Sequence, residues 1–174
     1  EPLTLKQNTN LIGLHPGTTI LLTLGGNLAF SGFGAPQAQL TTPQGGKNIV
    51  CGIFLNADAY NYRAVNCKWM AGEGSYMYDV KFSGHDKARF FHNGQSAANP
   101  LEKPMSITPE THDLITRAWD NQHWSLWITN GGGGSFRDIW TANEYSSAGL
   151  YISHTDTPGR IYGMSLEHHL RNEA

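Results

Sequence analysis

The feature that most constrains this chain is a two-residue pattern that recurs along its length. A glycine or an aspartate stands directly before an apolar residue in four β-patterned segments, which are Gly52-Ile53, Asp79-Val80, Asp138-Ile139 and Gly163-Met164. The apolar members are 27, 59 and 25 residues apart. We interpret these intervals as one repeat, two repeats with an insertion, and one repeat. Because self-similarity at periods of about 20 to 50 residues is typical of solenoids, the pattern predicts stacked β-coils.

Short apolar segments between turn residues predict the strands of these coils. Two strands separated by the His15-Pro16-Gly17 turn are expected first. Three more are expected at residues 48–55, 64–70 and 76–82. Polar sequence around residues 83–124 predicts one irregular insertion. We therefore expect an all-β, right-handed parallel β-helix that forms a single domain over residues 1–174. Since β-patterned sequence reaches both ends and solenoids need caps, the expected domain is a fragment of a longer helix, incomplete at its C-terminal end.

The composition excludes several classes of function. Charged residues make up only 15% of the chain, compared with about 25% in typical globular proteins. The net charge of −2 gives no electrostatic footprint for nucleic acid or for an anionic membrane surface. No apolar run approaches the about 20 residues that span a bilayer. With 20 glycines, this composition favours a secreted protein whose export signal has been removed.

Cys51 and Cys67 are the two cysteines of the chain. Each lies in a β-patterned segment, and their separation matches no metal-binding motif. Since a free cysteine behaves as a small apolar side chain, we expect two buried free thiols rather than a disulfide bridge.

Four segments carry a resemblance to a known family. They are L-I-G-L-H-P-G-T-T, A-V-N-C-K-W-M-A-G, T-N-G-G-G-G-S-F-R-D-I-W-T and G-M-S-L-E-H-H. The last is similar to the G-x-x-x-E-H-H element of glycoside hydrolase family 55, the exo-β-1,3-glucanases of the pectate-lyase-like superfamily. This resemblance implies two right-handed parallel β-helices in one chain, with a sugar site in the cleft between them. It also implies inverting hydrolysis of a neutral β-glucan by carboxylates and water, without a cofactor.

Two carboxylates are the catalytic candidates. By the resemblance, Glu167 matches a functional carboxylate of the family, although the family's general acid lies beyond the E-H-H element and the role of Glu167 stays open. A solvated surface glutamate is the alternative. Asp138 is the second candidate, and it occupies the same place in its repeat as Asp79. The two aspartates form either a structural ladder or a carboxylate pair that divides acid and base duties.

Aromatic and polar residues near the glycine run predict a sugar-binding surface, because pyranose C–H groups pack on aromatic rings. The candidate substrate-binding residues are Trp140, His168, Asn130, Asn143, Glu144 and Tyr145. The adjacent His168 and His169 do not predict a metal site, because neighbouring side chains of a strand diverge. An inward-facing histidine here is expected to be a hydrogen-bonded core residue. The run Gly131 to Gly134 lacks the Lys-Ser/Thr of a P-loop and predicts a sharp turn or a close approach of the backbone to a ligand.

These observations lead to three functional hypotheses. The first is a secreted glycoside hydrolase, or part of one, that acts on a neutral β-glucan, above all a β-1,3-linked one. The second is a non-catalytic carbohydrate-binding or cell-surface structural β-helix module. The third is a polysaccharide lyase, which the lack of an aspartate cluster for Ca²⁺ disfavours. The expected partners are a polysaccharide or oligosaccharide, and a companion chain or missing coils that complete the β-helix.

Overall fold

The computed structural model describes residues 1–31, 34–58, 61–84, 122–142, 146–167 and 169. These residues form eleven β-strands and no helix. In chain order the strands are β1 (Leu3–Thr4), β2 (Asn10–Ile12), β3 (Ile20–Leu22), β4 (Gln37–Thr41), β5 (Ile49–Asn56), β6 (Ala64–Trp69), β7 (Tyr76–Ser83), β8 (Gln122–Ile128), β9 (Gly134–Ala142), β10 (Ser146–Ile152) and β11 (Gly159–Glu167). No part of the chain that the structure describes has the length and apolar character of a membrane-spanning helix.

The strands build two open parallel sheets. The first sheet has the order β1-β4-β6-β8-β10, and the second has the order β11-β9-β7-β5-β2, with β3 also paired to β5. From β4 onward, consecutive strands belong alternately to the two sheets. Apolar residues of both sheets pack into one buried cluster, in which Leu40, Cys67 and Leu126 of the first sheet meet Val50 and Met77 of the second. The outer faces of the sheets are therefore the surfaces on which a site can lie.

The prediction of a right-handed parallel β-helix is wrong, because the described strands form two separate open sheets of five and six strands rather than a closed solenoid. The sequence period is the number of residues between neighbouring strands of one sheet. It does not require the edge strands of the two sheets to pair with each other. The 59-residue interval is also a single step, since Val80 pairs directly with Ile139. The predicted insertion at 83–124 is too wide, because β7 includes Ser83 and β8 begins at Gln122. Residues 85–121 lie outside the described residues.

A line of left-handed residues crosses the second sheet and explains the recurring pattern. Gly52, Asp79, Asp138 and Gly163 have φ angles of 64°, 51°, 52° and 68°. The apolar residues that follow them pair in register, Ile53 with Val80, Val80 with Ile139, and Ile139 with Met164. The equivalence of the four positions is confirmed. Left-handed backbone favours glycine and tolerates aspartate better than bulky residues, which explains these two residue types.

The left-handed residue shifts the alternation of side chains in each strand by one position. Side chains of a regular strand face one side at every second position. In β5, however, Val50 and Ile53 are three residues apart and are 0% and 1% exposed. Phe136 and Ile139 of β9 repeat this spacing at 1% exposure each. The line thus decides which residues reach the core and which reach the outer face.

Replacing Gly163 with alanine is expected to destabilise the protein by the about 1–2 kcal/mol of a left-handed non-glycine residue, and by slightly more because the exposed Asp138 side chain has to move. A Cβ atom at Gly163 would lie 2.9 Å from Oδ1 of Asp138. Gly26→Ala is the matched control, because Gly26 has a φ of 66° and no atom within 4 Å of its Cβ position. Urea denaturation measures both changes. Equal losses for the two variants would show that Asp138 makes no specific contact at Gly163.

Both cysteines are free thiols, as predicted. Cys67 is fully buried in the core, and burial raises the pKa of its thiol. Cys51 is only partly buried, so the expectation that both thiols are buried is wrong for this residue. Burial, and secondly the negative charge of Asp79, raises the pKa of Cys51.

Candidate functional site

One row of side chains on the outer face of the second sheet combines aromatic and charged groups. Phe54, Lys81, Trp140 and Ser165 are in register on the neighbouring strands β5, β7, β9 and β11. The ammonium Nζ of Lys81 lies 5.0 Å from the ring centroid of Phe54 and 4.2 Å from that of Trp140. Both distances are within the about 6 Å range of cation–π attraction. Lys81 therefore packs between the two rings and contacts one face of Trp140.

The other face of Trp140 is open. Strand β9 lies between β7 and β11, so Lys81 stands on one side of Trp140 and Ser165 on the other. Ser165 is small and exposed. The Trp140 side chain keeps 42% exposure although Lys81 covers one face. We call the space above Ser165 and beside this open face the Trp140 slot.

Two carboxylates flank the Trp140 slot along the direction of β11. At one end, Oε1 of Glu167 accepts a hydrogen bond of 2.6 Å from the hydroxyl of Ser165. At the other end, Oδ1 of Asp138 lies against Gly163, and Oδ2 is 3.3 Å from Nε of Arg137. The slot thus combines an apolar ring face with hydrogen-bonding groups at both ends, which is the usual chemistry of a small-ligand site.

Glu167 and Asp138 lie at opposite ends of the slot. Glu167 lies four residues beyond Gly163, which corresponds to about 13 Å along a strand. Its Oε1 is bound by the hydroxyl of Ser165, two residues nearer to Gly163.

Asp79 and Asp138 occupy equivalent positions on neighbouring strands. Both belong to the line of left-handed residues, on the adjacent strands β7 and β9. The Asp138 carboxylate extends toward Gly163 of β11. Both interpretations of the two aspartates, the ladder and the carboxylate pair, stay predictions.

The first sheet repeats this arrangement but leaves no slot. Lys68 of β6 pairs in register with Trp127 of β8, and its Nζ lies 4.6 Å from the ring centroid. The next position along the row is Tyr151 of β10 rather than a serine. Trp124 stacks on Tyr151 at 4.3 Å and meets Trp127 edge-on at 5.0 Å. These side chains fill the space that corresponds to the Trp140 slot.

The structure places the other predicted residues as follows. Asn130 lies in the turn before β9, ten residues before Trp140, and six of these residues form about 20 Å of strand, so it does not reach the slot. Its Nδ2 instead lies 3.5 Å from the sulfur of Met70. His168 and the segment Asn143 to Tyr145, which includes Glu144, lie outside the described residues. His169 is hydrogen-bonded as predicted, with Nε2 2.7 Å from the hydroxyl of Thr141 and Nδ1 2.6 Å from that of Ser146.

Lys81 and Ser165 belong to this row of side chains, although neither is among the residues predicted from the sequence. Each lies one residue beyond the apolar member of the recurring pattern, as Trp140 does. Extending the pattern by one position would have identified the whole row. Within the described ranges, no three His, Cys, Asp or Glu side chains are grouped so that they could hold a metal ion.

Comparison with family models, with curated proteins and with solved structures finds no match for this chain.

Proposed function

We propose that this protein binds a neutral glycan on the outer face of its second sheet, with one pyranose ring stacked in the Trp140 slot. The observation that carries the proposal is the open face of Trp140. Sugar C–H groups pack on such a face, while hydroxyl groups need polar partners at the edge of the ring. Ser165, Glu167 and the Arg137–Asp138 pair supply these partners at the ends of the slot.

The comparison between the two sheets supports the proposal. Both sheets place a lysine over a tryptophan, so the aromatic row by itself has a structural use. Only the second sheet has a serine at the following position, where the first has Tyr151. The serine leaves the ring face accessible, and a purely structural row would gain stability from an aromatic residue there.

The test is binding of a soluble β-1,3-glucan oligosaccharide, measured by calorimetry. Trp140→Ala is expected to weaken binding by at least about tenfold, which corresponds to about 1.4 kcal/mol. Ser165→Tyr is expected to weaken it similarly, because it rebuilds the filled arrangement of the first sheet. Trp127→Ala is the control and should retain binding if circular dichroism shows that it folds. Full binding by Trp140→Ala would overturn the proposal.

Hydrolysis of the bound glycan is the second candidate function, because a carboxylate lies at each end of the slot, Glu167 at one and Asp138 at the other. In an inverting mechanism one carboxylic acid protonates the leaving oxygen, and the other carboxylate activates water on the opposite face. Release of reducing ends by the wild-type protein, lost in Glu167→Gln and in Asp138→Asn, would support hydrolysis. Ultraviolet-absorbing unsaturated products would instead identify a lyase, and binding without either product would leave a binding module.

A further inference from the structure

Tyr162 of β11 presents a second open aromatic ring on the outer face of the second sheet. It is in register with Arg137 of β9, which is in register with Tyr78 of β7. The guanidinium of Arg137 leans toward β7, where its Cζ lies 5.8 Å from the ring centroid of Tyr78. Tyr162 is 55% exposed, and within the described ranges no other ring and no cation contacts its ring. The ring of Tyr162 is therefore as accessible to a ligand as the open face of Trp140.

The floor between the slot and Tyr162 is free of large side chains. On the outer face of β11, the small Ser165 is followed toward Tyr162 by the left-handed Gly163. Met164, which lies between them in sequence, packs against the core instead. Oδ1 of Asp138 lies 2.9 Å from the position that a Cβ atom of Gly163 would take. A path along β11 thus connects the slot with Tyr162, and a carboxylate lies beside its middle.

The path across the strands is closed in the other direction. The ammonium of Lys81 lies 4.2 Å from the ring centroid of Trp140 and covers the face of the ring that points toward β7. Arg137 covers Tyr78 on the same strand. A ligand that extends beyond the slot therefore runs along β11 to Tyr162 rather than across β7.

We propose that Tyr162 is a second sugar-binding subsite, so that the protein recognises a chain of three or more β-linked pyranose units laid along β11. This inference rests on the proposed function. Tyr162 and Ser165 are three residues apart, which corresponds to at most about 10 Å along the strand. One pyranose unit advances a β-linked chain by roughly half of this distance, so sugar rings stacked on Trp140 and on Tyr162 leave one unit between them. The carboxylate of Asp138 accepts hydrogen bonds from the hydroxyl groups of that middle unit.

The experiment measures binding of a disaccharide and of a pentasaccharide of β-1,3-linked glucose by calorimetry. The wild-type protein is expected to bind the pentasaccharide at least about tenfold more tightly, which corresponds to about 1.4 kcal/mol. Tyr162→Ala should reduce this advantage to the few-fold gain that a longer chain has from its larger number of binding positions. It should leave the affinity for the disaccharide unchanged. Tyr162→Phe should keep the advantage, because it retains the aromatic ring.

Tyr151→Ala is the matched control, because it removes a tyrosine of 39% exposure from the outer face of the first sheet. It should leave both affinities unchanged. An unchanged advantage of the pentasaccharide in Tyr162→Ala, or an equal loss in Tyr151→Ala, would overturn the second subsite. Equal losses in Tyr162→Phe and Tyr162→Ala would overturn stacking on this ring.

The proposed function fails by a different result. Trp140→Ala is expected to weaken binding of both oligosaccharides, whereas Tyr162→Ala should weaken binding of the longer one alone. Retention of the disaccharide by Trp140→Ala would overturn the proposed function, and this inference with it. Loss of the disaccharide in Trp140→Ala together with an unchanged pentasaccharide advantage in Tyr162→Ala would overturn the second subsite and leave the proposed function standing.

Discussion

Replacing Trp69 with alanine is expected to lower the free energy of unfolding by about 3–5 kcal/mol, the range for truncating a large buried aromatic residue. The Trp69 side chain is 0% exposed. Its ring meets Phe136 edge-on with the centroids 5.6 Å apart, and its Nε1 donates a hydrogen bond of 2.9 Å to the carbonyl of Gly133. Because Trp69 belongs to the first sheet and Phe136 to the second, the substitution removes a contact between the sheets.

Urea denaturation checks this prediction, with Trp140→Ala as a control that removes the same residue type from the exposed outer face. Trp69→Phe separates two contributions, since it keeps an aromatic ring but leaves the buried carbonyl of Gly133 without its indole donor. An unsatisfied buried acceptor destabilises by about 1–3 kcal/mol. A loss in Trp69→Ala no larger than that in Trp140→Ala would contradict the assignment of Trp69 to the core.

The sequence identifies the strands of the sheets because their requirements are local. Predicted strands at 48–55, 64–70 and 76–82 correspond to Ile49–Asn56, Ala64–Trp69 and Tyr76–Ser83. Apolar residues bounded by turn residues produce this signal without any knowledge of distant contacts. The four equivalent positions were predictable for the same reason, because left-handed backbone limits the residue to glycine, aspartate or asparagine wherever the strand lies in the fold.

The arrangement of the sheets was not predictable from the period. The length of the repeat gives the number of residues between neighbouring strands of the same sheet. Whether the two sheets close depends on contacts between edge strands that are remote in sequence. The direct pairing of β7 with β9 was missed for a related reason, since the length of an intervening segment does not show how many strands it contributes.

The site was predictable only in part. Trp140 stood out as an aromatic residue, but its accessibility depends on the side chain at the same register position of the next strand. A tyrosine there covers the ring of Trp127, and a serine leaves Trp140 open. Asn130 was selected because it is near Trp140 in sequence. The extended backbone of β9 carries the two residues apart, so closeness in sequence was misleading.

The glycine run before β9 shows how the turn and the core depend on each other. The sequence left open whether the glycines serve a sharp turn or an approach of the backbone to a ligand, and the structure shows a turn that packs against other backbone. Gly131 and Gly134 have positive φ angles of 80° and 99°. A Cβ atom at Gly132 would lie 2.3 Å from the carbonyl oxygen of Trp69. The glycine run therefore lets the backbone of the turn before β9 lie directly against the backbone at the end of β6.

Gly132→Ala is accordingly expected to destabilise the protein by at least about 3 kcal/mol, the upper part of the range for overpacking a core. The backbone angle at Gly132 is not left-handed, so the loss would come from the contact with Trp69 and from the oxygen of Thr129 at 3.0 Å. The first is a backbone atom at the end of β6 and the second is a backbone atom of the same turn, so neither can rotate away. Thermal and urea denaturation measure the change.

Gly72→Ala is the matched control for Gly132→Ala, because the nearest atoms to its Cβ position belong to Gly45 at an ordinary 3.7 Å. It should change the free energy of unfolding by less than about 1 kcal/mol. Alanine restricts the unfolded chain more than glycine does, and this gain offsets the small cost of the new contacts. The Trp69 side chain donates a hydrogen bond to Gly133, the neighbour of Gly132, so the losses in Gly132→Ala and Trp69→Ala should not add in the double variant. Full additivity, or equal losses in Gly132→Ala and Gly72→Ala, would show that this turn does not support the core.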